Sequence, residues 1–173
     1  SHVGLGAETG VGWLVVTADR QHLLTNNIEA GRFEDEELGG LPFEIHSVRW
    51  DEEDRPALLA SLVSGRIGAG IAMPGAEDVG DGVARLRWRL LEPEIERYRE
   101  VGTLAAQAIA ETGHEIEPGM TEHEIAGMLV GKIMAAGAQP VVALIAADER
   151  AYTYRHPIPT DKRLERHVML VVG

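Results

Sequence analysis

The chain has 173 residues, 45% of them hydrophobic, with a net charge of -12 and no cysteine. This excludes disulfides, thiol nucleophiles and thiolate metal sites. It also argues against a nucleic-acid partner, since phosphate contact needs clustered Lys and Arg. No apolar run approaches the roughly 20 residues that span a bilayer, and no signal-peptide pattern opens the sequence, so a cytoplasmic protein with no membrane partner is expected.

Both ends read as cut. The sequence opens Ser1-His2-Val3 without Met, and it stops at Gly173 directly after an apolar run. Gly4-Leu5-Gly6-Ala7 reads as a turn, because the preceding strand and following helix of a dinucleotide fingerprint are missing. Trp13 to Thr17 predicts a strand, Ala18 to Gln21 a turn and His22 to Thr25 a second strand, hence a hairpin. Ile28 to Leu38 predicts a helix or irregular segment. Phe43 to Val48 alternates apolar and polar, the period of a half-buried strand. Asp54-Arg55-Pro56 predicts a helix start, with Asp54 as cap and an apolar face of Leu58, Leu59, Leu62 and Val63, ended by Gly65. Ile67 to Met73 predicts a strand, and Pro74 to Gly82 a loop. Strands and helices alternate here, so this half reads as α/β.

The pattern changes near Leu86. Glu94 to Thr112 predicts a long helix with Ile95, Tyr98, Val101 or Gly102, Ala105, Ala108 and Ile109 on one face. Pro93 suits its first turn and Gly113 its end. Thr121-Glu122-His123-Glu124 has the pattern of a capping box, in which hydroxyl and carboxylate satisfy free amides at a helix start. That helix continues through Ile125, Met128, Leu129, Lys132, Ile133 and Ala136 to Gly137. Pro140 to Ala146 predicts a strand covered on both faces. An Arg-His-Pro loop and a final strand, Val168 to Val172, follow.

Few residues point to chemistry. Gly65 to Gly75 lacks the Lys-Ser/Thr of a phosphate loop. Of seven His, no pair has metal-ligand spacing on a helix. His22 and His46 read as packing residues on strands, His114 follows a helix end, His123 lies in a first helical turn and His167 in a charged turn. His156 differs. Pro157 and Pro159 stiffen the backbone around it, and Tyr152, Tyr154 and Arg155 crowd beside it. An imidazole held this way can bind an anion, donate to a carbonyl oxygen or shuttle a proton.

Three pieces, in order, resemble the pita-bread metallopeptidases (prolidase, aminopeptidase P, creatinase and relatives). They are Trp13-Leu14-Val15-Val16 with Leu23 to Ala30, then Ile116-Glu117-Pro118-Gly119-Met120-Thr121-Glu122-His123-Glu124-Ile125-Ala126, then Arg155 to Thr160 with Leu164 and the last strand. The resemblance implies an α/β, partial creatinase-like N-terminal domain over residues 1–86. Residues 87–173 would then be the truncated start of an α+β pita-bread domain.

In such enzymes two divalent ions, manganese or cobalt, activate a water that attacks the bond before Pro. The loop His that contacts substrate maps onto His156, the expected catalytic and substrate-binding residue. Arg155 and Tyr154 would help hold a substrate carboxylate. The metal ligands, two Asp, one His and two Glu, would follow the loop, the first at the end of the last strand. No metal ligand or cofactor is therefore expected within this chain. One departure stands out: Arg166-His167 occupies the place of the family's usual Gly-Asp lead-in to that strand.

The resemblance thus implies Xaa-Pro peptide hydrolysis in the complete parent, a peptide substrate and a homodimer. The 173-residue chain itself is expected to be inactive. The competing expectation is a non-catalytic pita-bread-like protein that binds a peptide or partner and lacks the metal ligands. A half pita-bread domain would also leave strand edges and apolar faces uncovered.

Overall fold

A computed structural model describes residues 10–52 and 54–173. His2 and the turn expected over Gly4 to Ala7 lie outside them. The chain divides into two units, Ser1–Trp88 and Arg89–Gly173.

In the first unit, β1 (Trp13–Val16) and β2 (Gln21–Asn26) form the expected antiparallel hairpin. Its turn is closed by Thr17, whose backbone N–H donates to Arg20 O at 2.9 Å and whose hydroxyl accepts from Arg20 N at 3.0 Å. β3 (Phe43–Val48) lies parallel to β2, so the sheet order is β1-β2-β3. The central strand is covered on both faces, which is why Leu23, Leu24 and Thr25 are all buried. Asn26 ends β2 by accepting the N–H groups of Ile28 and Glu29, both at 3.0 Å, an Asx turn that reverses the chain. The Glu-rich segment beyond it is a single helical turn, α1 (Ala30–Arg32), that widens over Phe33–Glu37 into bonds reaching back five residues.

Three expectations need correction in this unit. Asp54 stands at the cap position of α2 (Arg55–Leu62), but its side chain makes no cap bond; Pro56 in the first turn starts the helix. The strand expected over Ile67 to Met73 shrinks to β4 (Gly68–Ala69), paired in parallel with β5 (Glu77–Asp78). The loop expected from Pro74 to Gly82 thus contains β5 and the start of α3 (Gly80–Leu86). Packing decides this: Val79 sits 3.1 Å from where a Cβ on Gly68 would be, so glycine lets the two segments meet.

In the second unit, α4 (Glu92–Glu115) begins with Pro93 in its first turn. It runs through Gly113 instead of ending there. It stops at Ile116, whose backbone is extended, with Pro118 two residues beyond this cap position. Its core side is Leu104, Ala108, Ile109 and Thr112, whereas Tyr98 and Val101 of the predicted stripe are exposed. α5 (Glu122–Ala135) carries the predicted capping box: Glu124 N–H donates to Thr121 Oγ1 at 3.1 Å and Thr121 N–H to Glu124 Oε2 at 2.8 Å. Gly137, at φ +85°, follows its end.

The first strand of this unit is β6 (Ala143–Ala147), three residues later in its start than expected, with Ile145, Ala146 and Ala147 fully buried. It pairs antiparallel with β7 (Val168–Val172). Ile125, Leu129 and Ile133 of α5 form the core with Ala108, Ile145, Ala147 and Leu164. Among the described residues β7 has β6 as its only strand neighbour.

Candidate functional site

The twenty residues from Asp148 to His167 join β6 to β7 and carry the Arg-His-Pro motif. Two buried carboxylates hold this loop, one at each end of its course.

The first is Glu122, the opening residue of α5, where the helix dipole favours negative charge. Its carboxylate is fully buried. Oε1 accepts Ala147 N–H at 2.7 Å and Arg150 Nε–H at 2.9 Å. Oε2 accepts the Thr160 N–H at 2.8 Å and the Thr160 hydroxyl at 2.7 Å. Burial opposes its ionisation, but these donors and the Arg150 charge outweigh it and hold its carboxyl below the ordinary range. Arg150 (on α6, Arg150–Thr153) extends the framework: Nη2 donates to Ile158 O at 2.9 Å, and the guanidinium lies 5.1 Å from the centre of the Tyr154 ring.

The second is Asp148, directly after β6. It adopts φ +52°, a left-handed conformation that Asp tolerates better than most residues. Its carboxylate accepts the N–H groups of Glu165 at 2.8 Å, Arg166 at 2.9 Å and His167 at 3.1 Å. Burial again opposes ionisation. The three amides and the Lys162 charge overcome it and bring the pKa down to about 2.

The Pro118-Gly119 turn completes the frame. Gly119, at φ +96°, donates its N–H to Leu164 O at 2.8 Å and accepts from Arg163 Nη1 at 2.6 Å. Leu164 N–H donates to Met120 O at 2.8 Å. The Pro-Gly-x-Thr-Glu piece and the His-Pro loop are therefore one hydrogen-bonded unit.

On this frame the predicted residues stand in a row. Tyr154, Arg155 and His156 are exposed, Pro157 is buried, and Ile158 is again exposed. Pro157 anchors the loop and the three side chains before it face solvent. Among the described residues, neither Arg155 nor His156 joins a hydrogen bond or ion pair. His167 is no ordinary charged-turn residue: its ring meets Tyr152 edge-on at 5.1 Å, and its Nε2 is buried without a partner. His123 is exposed, with Nδ1 3.1 Å from Asp161.

Sequence reasoning had Glu122 and Thr160 only as motif members and passed over Asp148 and Arg150; together these four do the positioning. The one available signal was acidic residues beside apolar runs, Thr121-Glu122 and Ala147-Asp148, which also suits exposed caps. The other unforeseen group lies in the first unit, where β2 and β3 bring His22, Glu44 and His46 together. Among the described residues it is the one set of three metal-ligating side chains close enough to share an ion. A cleft of about 530 Å³ also lies in the first unit, along β1 and Ile67 to Met73, and none of its lining belongs to the loop.

Comparison with known proteins follows this division. Residues 96–173 match the model of metallopeptidase family M24, a metal-dependent family by its description. No curated protein sequence matches the chain. The fold is similar to that of the X-Pro aminopeptidase from Thermotoga maritima MSB8, with TM-score 0.72 and 20% identity over 93% of this chain and 50% of that one. It is similar to the prolidase from Pyrococcus horikoshii OT3, with TM-score 0.71 and 22% identity over 93% and 49%. The prolidase from Pyrococcus furiosus gives TM-score 0.69 and 22% identity over 95% and 52%. The chain spans about half the length of these structures. Its fold is a partial creatinase-like N-terminal α/β domain followed by the start of a pita-bread domain. The residues present from Arg89 onward do not fit a dinuclear metal site, since no set of metal-ligating side chains gathers there among the described residues.

Proposed function

We propose, for a chain whose residues 96–173 match the model of metallopeptidase family M24, that it forms the substrate-side half of a prolidase-like peptidase. The whole protein would hydrolyse Xaa-Pro peptides, and the 173-residue chain alone would bind peptide without cleaving it. A pair of divalent ions, manganese or cobalt, would supply the activated water, on ligands outside this chain. A homodimer in the cytoplasm belongs to the same reading by resemblance.

The observation that carries this reading is the exposed Tyr154-Arg155-His156 row on a loop fixed by Glu122 and Asp148. A catalytic or binding group works only if its own support is rigid. His156 is free to donate a hydrogen bond to a peptide carbonyl, or to the oxyanion that develops from it. Arg155, with its planar donor fork, suits a peptide carboxylate. Tyr154 is braced by Arg150 and offers a hydroxyl beside it.

The test is a Xaa-Pro dipeptide. With added Mn2+ or Co2+ the chain should show no turnover, and robust turnover refutes the assignment. Amide shifts at Tyr154, Arg155 and His156 should move on titration with the dipeptide, and His156→Ala should weaken that response at least tenfold while leaving the circular dichroism unchanged. Shifts elsewhere only would count against the row as the substrate contact.

The second reading, a non-catalytic peptide- or partner-binding protein, is favoured by one feature. Arg166 and His167 stand where the family has Gly-Asp, and their backbone N–H groups are bound into the Asp148 clamp. Metal analysis of a longer protein containing this chain separates the two readings.

A further inference from the structure

The geometry points to a mononuclear zinc-type site on the β2–β3 face of the first unit, formed by His22 Nδ1, His46 Nε2 and one Glu44 oxygen. The parallel register sets His22 against Glu44, and the period of two along β3 puts Glu44 and His46 on the same face. The three ligand atoms then converge. His22 Nδ1 lies 3.1 Å from His46 Nε2 and 3.5 Å from Glu44 Oε2, and His46 Nε2 lies 4.0 Å from the same oxygen.

Those separations match a metal's needs. Bonds of about 2.0–2.2 Å from a tetrahedral zinc place its ligand atoms about 3.4 Å from one another. The observed separations, 3.1, 3.5 and 4.0 Å, bracket that value without rearranging the strands. The supporting contact is also present: Arg20 Nη1 donates to Glu44 Oε1 at 3.2 Å, which orients the carboxylate and leaves Oε2 for the ion. His22 is buried, His46 is about one quarter exposed and Glu44 about half exposed. Three protein ligands with an open side are the arrangement that admits a water as fourth ligand. Two imidazoles and one carboxylate favour Zn2+ or Co2+ over Mg2+ or Mn2+, which prefer all-oxygen sets. The same atoms without an ion make one hydrogen bond, His22 Nδ1 to His46 Nε2, with Glu44 beside it; the experiment separates these states.

The probe is Zn2+ added to the 173-residue chain after chelator treatment, followed by calorimetry, with Co2+ as a spectroscopic stand-in. The expected result is one Zn2+ per chain and, with Co2+, the intense visible bands of four-coordinate cobalt. His46→Gln should weaken Zn2+ binding at least about 100-fold, and Glu44→Gln at least about tenfold, since losing a ligand costs no less than losing one of the outer-shell groups that orient it. His123→Ala, at the exposed pair with Asp161, should change nothing. No Zn2+ binding by the parent chain, or binding that survives both His46→Gln and Glu44→Gln, overturns the site. Should His46→Gln lose its fold by circular dichroism, Glu44→Gln decides alone: its side chain is half exposed, and unchanged affinity in it also overturns the site.

Discussion

The two units bury polar side chains in opposite ways. In the second unit, Glu122 and Asp148 are surrounded by donors that are mostly backbone N–H groups, and each carboxylate oxygen has a partner. Their charge is fixed and their geometry closed. In the first unit, buried His22 faces two other side chains, His46 and Glu44, across distances of 3.1 and 3.5 Å. Among the described residues that group receives no backbone donor, and it has one side in solvent. A buried charge saturated by backbone amides is a structural clamp. Two ring nitrogens and a carboxylate converging on one spot have the make-up of a metal-ligand set.

The sharpest way to break this contrast is Glu122→Ala. It leaves Arg150, the Ala147 amide and the Thr160 amide without their acceptor in a buried place. Removing one partner of a buried ion pair costs about 3–5 kcal/mol, so the second unit should unfold at far lower urea. Retained stability in Glu122→Ala would reduce the clamp to an ordinary helix start.

Acid sharpens the contrast next. The Asp148 carboxyl takes up its proton near pH 3.8 in the unfolded chain and near about 2 in the folded one. The folded state therefore binds fewer protons in that window, and the stabilisation is complete above about pH 4 and drains as pH falls towards 2. Glu122, also held below its ordinary range, adds to the same acid limb. Asp148→Asn should flatten the limb and speed amide exchange at Glu165, Arg166 and His167. An unchanged acid profile would show that the three amides are not held by this carboxylate in solution.

The smallest effect is expected at Thr112. Its hydroxyl is fully buried on α4 and, among the described residues, has no partner. Thr112→Val keeps the shape and removes the unsatisfied group, so stability in thermal melts should stay level or rise by about 1 kcal/mol. A clear loss would mean that the hydroxyl has a bridging water and belongs with the satisfied groups.

Much of the fold was legible from local chemistry. The alternation over Phe43 to Val48 and the Thr121 capping box each rest on neighbours within a few residues and appear where expected, and the hairpin turn expected over Ala18 to Gln21 appears one residue earlier, closed by Thr17. The misses share a cause. β4 and β5 form only because Gly68 lets Val79 approach, a contact between segments about ten residues apart. α4 overruns Gly113 because one glycine costs a long helix about 1 kcal/mol, less than its packed turns return. In the candidate site, His156 and its Pro neighbours stood out as a stiff loop, whereas the residues that stiffen it did not.

What the sequence alone determined is therefore local: the longer strands and helices, the Thr121 cap, the Pro-bounded loop with Tyr154, Arg155 and His156, and the motif series that resembles the pita-bread metallopeptidases. The tertiary structure decided which charges are buried. Glu122 reaches Thr160 across 38 residues, Asp148 reaches Arg166 across 18, and His22 reaches His46 across 24. A carboxylate beside an apolar run reads the same whether it faces water or a ring of amides. Only chain closure, which brings donors from distant segments within 3 Å, distinguishes a solvated cap from a clamp.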